Sequence, residues 1–253
     1  MKIIHIITGL GDGGAENTLY KVCKYDKSNE HIVISFKSSG KYLPLLRKLN
    51  VKLYCLNINF FFIFKFFSLI CLLRSLKPDI VQTWLVHADF IGGIAARLAG
   101  IKNIVWNVRY SHIEIGKAKL TTIFIIEILA KMSHFIPQSI IIVSKNAKRF
   151  YEIKGYAKKK LKFIPNGYDL HSFKLIKKNK NNFQKKIKIK NKVPLIGYVA
   201  RYDPLKDHLN LLKSISLIRL KNIVFFCVLI GNNINNNKIL IKEIKRLNLE
   251  DCI

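Results

Sequence analysis

The stretch "ITGLGDGGAENTLY", residues 7–20, follows the apolar run "IIHII" and carries glycines at 9, 11 and 14. That spacing fits G-x-G-x-x-G, a glycine turn that lets backbone approach a ligand while the next helix offers free N–H groups and a positive dipole end to an anion. The physics suits any phosphate. A nicotinamide dinucleotide also asks for an acidic residue at the end of the second strand, to hold a ribose. Here "HIVISFKSSG" places Phe36 and Lys37 there instead. Lys37 could meet a 2′-phosphate, so an NADP-dependent Rossmann protein stands as a distant alternative. Glu16, in the first helical turn, reads as a partner of the helix dipole rather than as a base. The five cysteines, at 23, 55, 71, 227 and 252, are scattered singly without C-x-x-C or metal-ligand spacing. They read as small buried hydrophobes in a reducing compartment. No His/Asp cluster suggests a metal centre.

The elements that would position such a loop alternate in period along the chain. Strands are predicted at 2–8, 31–36, 51–56, 79–84, 103–108, 139–144 and 160–165, with helices at 14–25, 41–49, 60–76, 88–99, 118–135 and 145–154. Gly100 and Gly155 stand where left-handed helix stops belong. Apolar, non-alternating strands between helices predict an α/β fold with a doubly wound parallel sheet. The Lys/Asn-rich run 174–192 reads as a linker. Beyond it the alternation restarts, with strands at 195–200 and 222–231 and helices at 205–219 and 238–247. The expected domains are therefore 1–173, a linker 174–192, and 193–253 as the opening of a second α/β domain. Two βα units cannot close a core of their own. Two side chains fall just past predicted strands, at the carboxyl edge where α/β sheets bind ligands: His87 after "DIVQTW" and Arg109 after "NIVWNV". Asn166, Gly167 and Asp169 read as a turn before the linker.

The net charge of +29 arises from 44 basic and 15 acidic residues, and +9 of it sits in residues 173–192. Few aromatics accompany the basic runs and no base-reading motif is present, so no specific nucleic-acid partner is expected. A solvated surface drawn to anionic lipid is the better reading. The apolar stretch "FFFIFKFFSLICLL", residues 60–73, is too short for a span of roughly 20 residues. It reads as a buried helix, or as one aromatic face laid on a membrane surface. Nothing at the N-terminus reads as a signal peptide.

Read in order, "GLGDGGAEN" (9–17), "DIVQTWLVHADFIGGIAARLAG" (79–100), "FIPNGYDLHSF" (163–173) and "GYVARYDPLKDHLNLLKSI" (197–215) resemble the GT4-type retaining glycosyltransferases of the GT-B fold. The resemblance implies transfer of a sugar from a UDP- or GDP-sugar to a hydroxyl, with retained anomeric configuration and no metal or other cofactor. Gly13 and Gly14 would form the acceptor-domain glycine loop facing the donor diphosphate, and Arg201 and Lys206 the basic pair on its phosphates. Such charges stabilise a leaving diphosphate; the plain alternative is a surface salt bridge with Asp203 and Asp207. His87 would face the transferred sugar or the acceptor, as the catalytic candidate. Arg109 would meet an acceptor phosphate or the donor, and Asn166 would border the site. Gly231 would close a second glycine turn near the nucleotide. Acceptors of similar proteins are glycans or lipid-linked saccharides of the cell surface. That implies a cytoplasmic protein, peripheral on the inner face of the membrane.

The chain departs from the family in one respect. Its donor half carries an E-x7-E motif, whereas residues 232–253 hold only Glu243 and Glu250, seven apart on a Lys-rich helix. The sequence thus resembles a complete acceptor domain and the first part of a donor domain, truncated within it. A non-catalytic, acceptor-binding fragment or pseudoenzyme is accordingly the main alternative reading.

Overall fold

Thirteen elements of alternating type open the chain in a computed structural model describing residues 1–58, 62–109, 120–173, 182–183, 186 and 193–253. They run β1 (Lys2–Ile7), α1 (Gly14–Tyr25), β2 (Glu30–Ser35), α2 (Tyr42–Lys48), β3 (Lys52–Cys55), α3 (Phe62–Leu76), β4 (Ile80–Trp84), α4 (Val86–Leu98), β5 (Ile104–Val108), α5 (Leu120–Met132), β6 (Ser139–Ile142), α6 (Lys145–Ile153) and β7 (Leu161–Phe163). The seven strands form one sheet in the order β3-β2-β1-β4-β5-β6-β7, every pair parallel. Parallel strands need both faces covered, and the burial of Ile4 through Ile7 on β1 shows that they are.

Side-chain alternation divides the two faces. Ile4, Ile6, Ile32, Ile34 and Val81 join a large cluster with Leu69 and Leu73 of α3, Ile126 and Leu129 of α5 and Tyr151 of α6. Ile7, Val33 and Trp84 point the other way, to Leu19 and Cys23 of α1 and Leu43 and Leu46 of α2. Gly100 and Gly155 take φ of +87° and +85°, the helix stops read from the sequence. Ser144 Oγ accepts the Ala147 N–H and starts α6.

This first compact unit covers Met1–Gly167 and the second covers Tyr168–Ile253. Within the second, β8 (Leu195–Val199) and β9 (Phe226–Ile230) pair in parallel. They carry α7 (His208–Leu220) and α8 (Lys238–Arg246), packed through Leu212, Ile215, Phe225, Cys227 and Leu240. β9 starts four residues later than the apolar run predicts, because its partner begins only at Leu195. The predicted linker lies outside the described residues, apart from 182–183 and 186. On α3, Leu69, Ile70 and Leu73 are buried while Ile63, Phe64 and Phe67 are exposed. Among the described residues, no helix is long and apolar enough to cross a membrane.

Candidate functional site

Strand order locates the switch point of the sheet. From β1 the chain turns to β2 on one side, while β4 pairs with the other side of β1. The loops leaving β1 and β4 therefore diverge to opposite faces, and the carboxyl ends of these two strands flank the topological switch point. The glycine loop follows β1. His87, the second residue of α4, follows β4.

Gly13 is the N-cap of α1 in extended conformation, and Gly14 begins the helix. A side chain at Gly14 would meet nothing within 4 Å, and the N-cap makes no side-chain hydrogen bond to the first turn. One carboxylate is already present. Glu16 folds back until its Oε2 lies 2.3 Å from where a Gly13 Cβ would stand, offsetting the positive helix end as its position predicts. From the far side, Gly40 presses on the same loop. Its Cβ would fall 2.1 Å from the Leu10 carbonyl oxygen, the atom that accepts the Tyr42 N–H at 3.0 Å.

Arg109 is half-buried rather than free on the surface. Its guanidinium lies 4.9 Å from the ring centroid of Trp84, a cation–π geometry, and Nη1 donates to Asn166 Oδ1. Burial lowers its pKa to about 10, so it remains charged at neutral pH. The ends of β4, β5 and β7 are thereby tied through Trp84, Arg109 and Asn166. Trp84 is held in turn by donating Nε1–H to His5 Nδ1 at 3.2 Å.

Beneath His87 lies a residue the sequence reading passed over. Asp89 is buried in the first turn of α4. Its Oδ1 accepts from Thr83 Oγ1 at 2.5 Å, and the Asn107 backbone also bonds to the carboxyl. Burial pushes its pKa up to about 7 against the opposing pull of those bonds. This one carboxyl straps β4 and β5 at the helix start that carries His87. A lone acid inside the apolar run "VHADFIGGIAARL" was the available signal, since an isolated carboxylate does not enter a core without partners. Leu85, between Trp84 and α4, adopts φ of +75°. That conformation is rare for a branched residue.

In the second unit, Arg201 is exposed and reaches Asp203 Oδ2 through Nη2 at 3.0 Å and Nε at 3.2 Å. Asp203 Oδ1 also accepts the Leu205 N–H, and these bonds hold the carboxyl below the usual range. Lys206 ends the short 3-10 turn Pro204–Lys206, exposed, and its carbonyl accepts from the Tyr198 hydroxyl. Asp207, at φ of +50°, caps α7. Gly231 stands where a Cβ would meet the Ala200 carbonyl oxygen at 2.0 Å. Its evident role is to let the turn after β9 press on the turn that bears Arg201. The structure groups Arg109 with Asn166, sets Gly13, Gly14 and His87 beside the switch point, and keeps Arg201 and Lys206 on one turn.

The model of Glycosyltransferase Family 4 matches residues 12–172, well over half of the chain. The chain belongs to Glycosyltransferase Family 4. No curated protein sequence matches it. Solved structures similar to this family 4 chain include HepE of Anabaena in complex with UDP, with a TM-score of 0.81 at 18% identity over 100% of this chain and 68% of that one. A glycosyltransferase from Rickettsia africae gives 0.78 at 19%, covering 100% and 66%. The lipopolysaccharide outer core galactosyltransferase WaaB gives 0.66 at 16%, covering 100% and 66%. The family 4 chain thus has the GT-B type of α/β fold and spans about two thirds of the length of these proteins.

Proposed function

We propose that the chain serves a nucleotide-sugar glycosyltransferase, supplying the acceptor-side domain and the first part of the donor-binding domain. The transfer would run from a UDP- or GDP-sugar to a hydroxyl, with retention. The observation that carries this reading is the helix N-terminus at Gly14, placed with His87 at the switch point of a family 4 sheet. HepE has been crystallised with UDP and with UDP-glucose, which supports a nucleotide-sugar donor. In this reading Arg201 exchanges Asp203 for a donor phosphate, Lys206 adds a second charge, and both stabilise the negative charge that develops on the leaving diphosphate. Gly13 and Gly14 offer backbone N–H groups, and His87 meets the sugar or the incoming hydroxyl. Arg109, fixed by Trp84 and Asn166, presents a cation to acceptor or donor. Basic side chains would do the phosphate work, so no metal or other cofactor is assigned to the reaction.

The acceptor is proposed to be a glycan or lipid-linked saccharide. The exposed Ile63, Phe64 and Phe67 of α3, together with the net charge of +29, support a peripheral position on an anionic membrane surface. Calorimetric titration of the purified chain with UDP- and GDP-sugars tests the donor reading. Saturable binding that is lost in Arg201→Ala/Lys206→Ala is expected. Absence of binding by the folded chain would favour the acceptor-binding fragment instead. Sedimentation with anionic vesicles, released by high salt, tests the membrane position.

A further inference from the structure

Three side chains that the sequence separates meet in the layer between α1 and the sheet. His5 of β1, Cys23 of α1 and His31 of β2 are all buried, and their ligand atoms lie within 4.8 Å of one another. Residue spacing hides them, because they arrive from three elements. Together they offer two imidazole nitrogens and one thiol sulfur. We infer that His5, Cys23 and His31 bind a zinc-class metal ion that fixes α1 to the sheet. Borderline and soft ions suit such ligands, whereas magnesium and calcium ask for oxygen.

The surroundings supply what ligating histidines need. A metal-bound imidazole ordinarily donates its other N–H to an acceptor. His31 Nε2 stands 3.3 Å from Asp26 Oδ2, and the Gln82 side chain hydrogen-bonds to His5. With His5 Nε2, His31 Nδ1 and Cys23 Sγ on the ion, the far nitrogen of His31 faces the Asp26 carboxylate, while that of His5 faces the Trp84 indole. Charge also closes. A divalent ion, one thiolate and the Asp26 carboxylate sum to zero, which removes the main objection to burying an ion here.

Without the ion the same groups satisfy one another differently. His5 Nε2 and His31 Nδ1 are 3.0 Å apart. The Trp84 indole can only donate, so His5 Nδ1 accepts from it and the Nε2 proton bridges to His31. Loading moves that proton to Nδ1, so the Trp84 N–H must release the ring. The Cys23 thiol gives its proton to solvent on binding, so one proton leaves per ion bound. Cys23 lies nine residues beyond Gly14 along α1, about 13 Å at helical rise. The ion therefore holds the helix whose start is the glycine loop and takes no part in phosphate chemistry. The inference stands apart from the glycosyltransferase reading.

Titration of the chelator-stripped, reduced chain with Co2+ and Zn2+ tests it. One Co2+ per chain should give a thiolate charge-transfer band that is absent in Cys23→Ala. Zn2+ should raise the unfolding midpoint of the wild type alone and change Trp84 fluorescence in a Trp106→Phe background. Asp26→Ala, which removes the carboxylate facing His31 Nε2, should weaken binding by about 10- to 100-fold. A folded wild type that takes up neither ion overturns the inference, as does equal affinity in Cys23→Ala. Should Cys23→Ala not fold, Asp26→Ala carries the test, and affinity equal to wild type then overturns it.

Discussion

The two units build the same βαβ geometry to different degrees of closure. In the first, β1 lies between two parallel neighbours with helices on both faces, and Ile4, Ile6 and Ile7 have no exposed surface. In the second, two strands carry two described helices, and Val199 at the end of β8 is 77% exposed. Both nevertheless share a detail. In each, the turn after the second strand sets a glycine against a carbonyl of the turn after the first, Gly40 on Leu10 and Gly231 on Ala200. The difference teaches that turn geometry is local and can be complete where the core is not. Core stability depends on how many layers enclose a strand.

The strongest way to break this comparison is at the two glycines. Gly40→Ala adds both a positive-φ penalty and a contact on backbone. It should cost about 4 kcal/mol or more, read by urea unfolding followed through tryptophan. Both tryptophans, Trp84 and Trp106, belong to the first unit, so Gly231→Ala should leave that transition in place while amide exchange in β8 and β9 accelerates. An equal shift of the tryptophan transition by Gly231→Ala would show that the units do not unfold independently. Next in size, Leu69→Ala, in the enclosed core, should cost about 3 kcal/mol. Val199→Ala should change stability by no more than about 0.5 kcal/mol.

Asp89 sharpens the comparison through pH. Its folded pKa of about 7 lies above the ordinary carboxyl value of 3.8, so the native state keeps a proton that the unfolded chain gives up. The associated stability is fully present below about pH 4 and is lost as pH rises to about 7. The stability difference between wild type and Asp89→Asn should therefore move against the wild type by about 2 kcal/mol or more across that window. A difference independent of pH would show that the buried carboxyl does not titrate there. The smallest effect concerns the glycine loop. Glu16→Gln removes a carboxylate from the positive end of α1, and inorganic pyrophosphate should bind there about two- to fivefold tighter, read from amide shifts of residues 14–17.

Much of the fold was legible because local chemistry and tertiary structure agree. The sequence reading placed α1 at residues 14–25, as it is, since glycines end the loop and apolar residues then recur at helical spacing. Every predicted strand is present, differing mainly at its ends. The site was legible only as positions along the sheet edge. That His87 and Arg109 follow β4 and β5 could be read from topology. That Arg109 lies on Trp84 and bonds Asn166 could not, because three strands must first pair to bring them together. Asp89 escaped for the opposite reason. Its signal was a single letter in an apolar run, and its partners Thr83 and Asn107 become neighbours only through the β4–β5 pairing. The Arg201–Asp203 pair, two residues apart, was named in advance because nothing distant is needed to form it.

Leu85 joins β4 to α4 at φ of +75°, where a glycine would sit without penalty. A leucine there costs about 1–3 kcal/mol of backbone strain. It also removes most of the paths by which the two residues leading to His87 could turn. Strain at this joint thus acts as a restriction of choice: fewer backbone states are open, and the imidazole is delivered with a narrower spread of directions. Leu85→Gly would trade the other way, giving a more relaxed joint and a less certain aim.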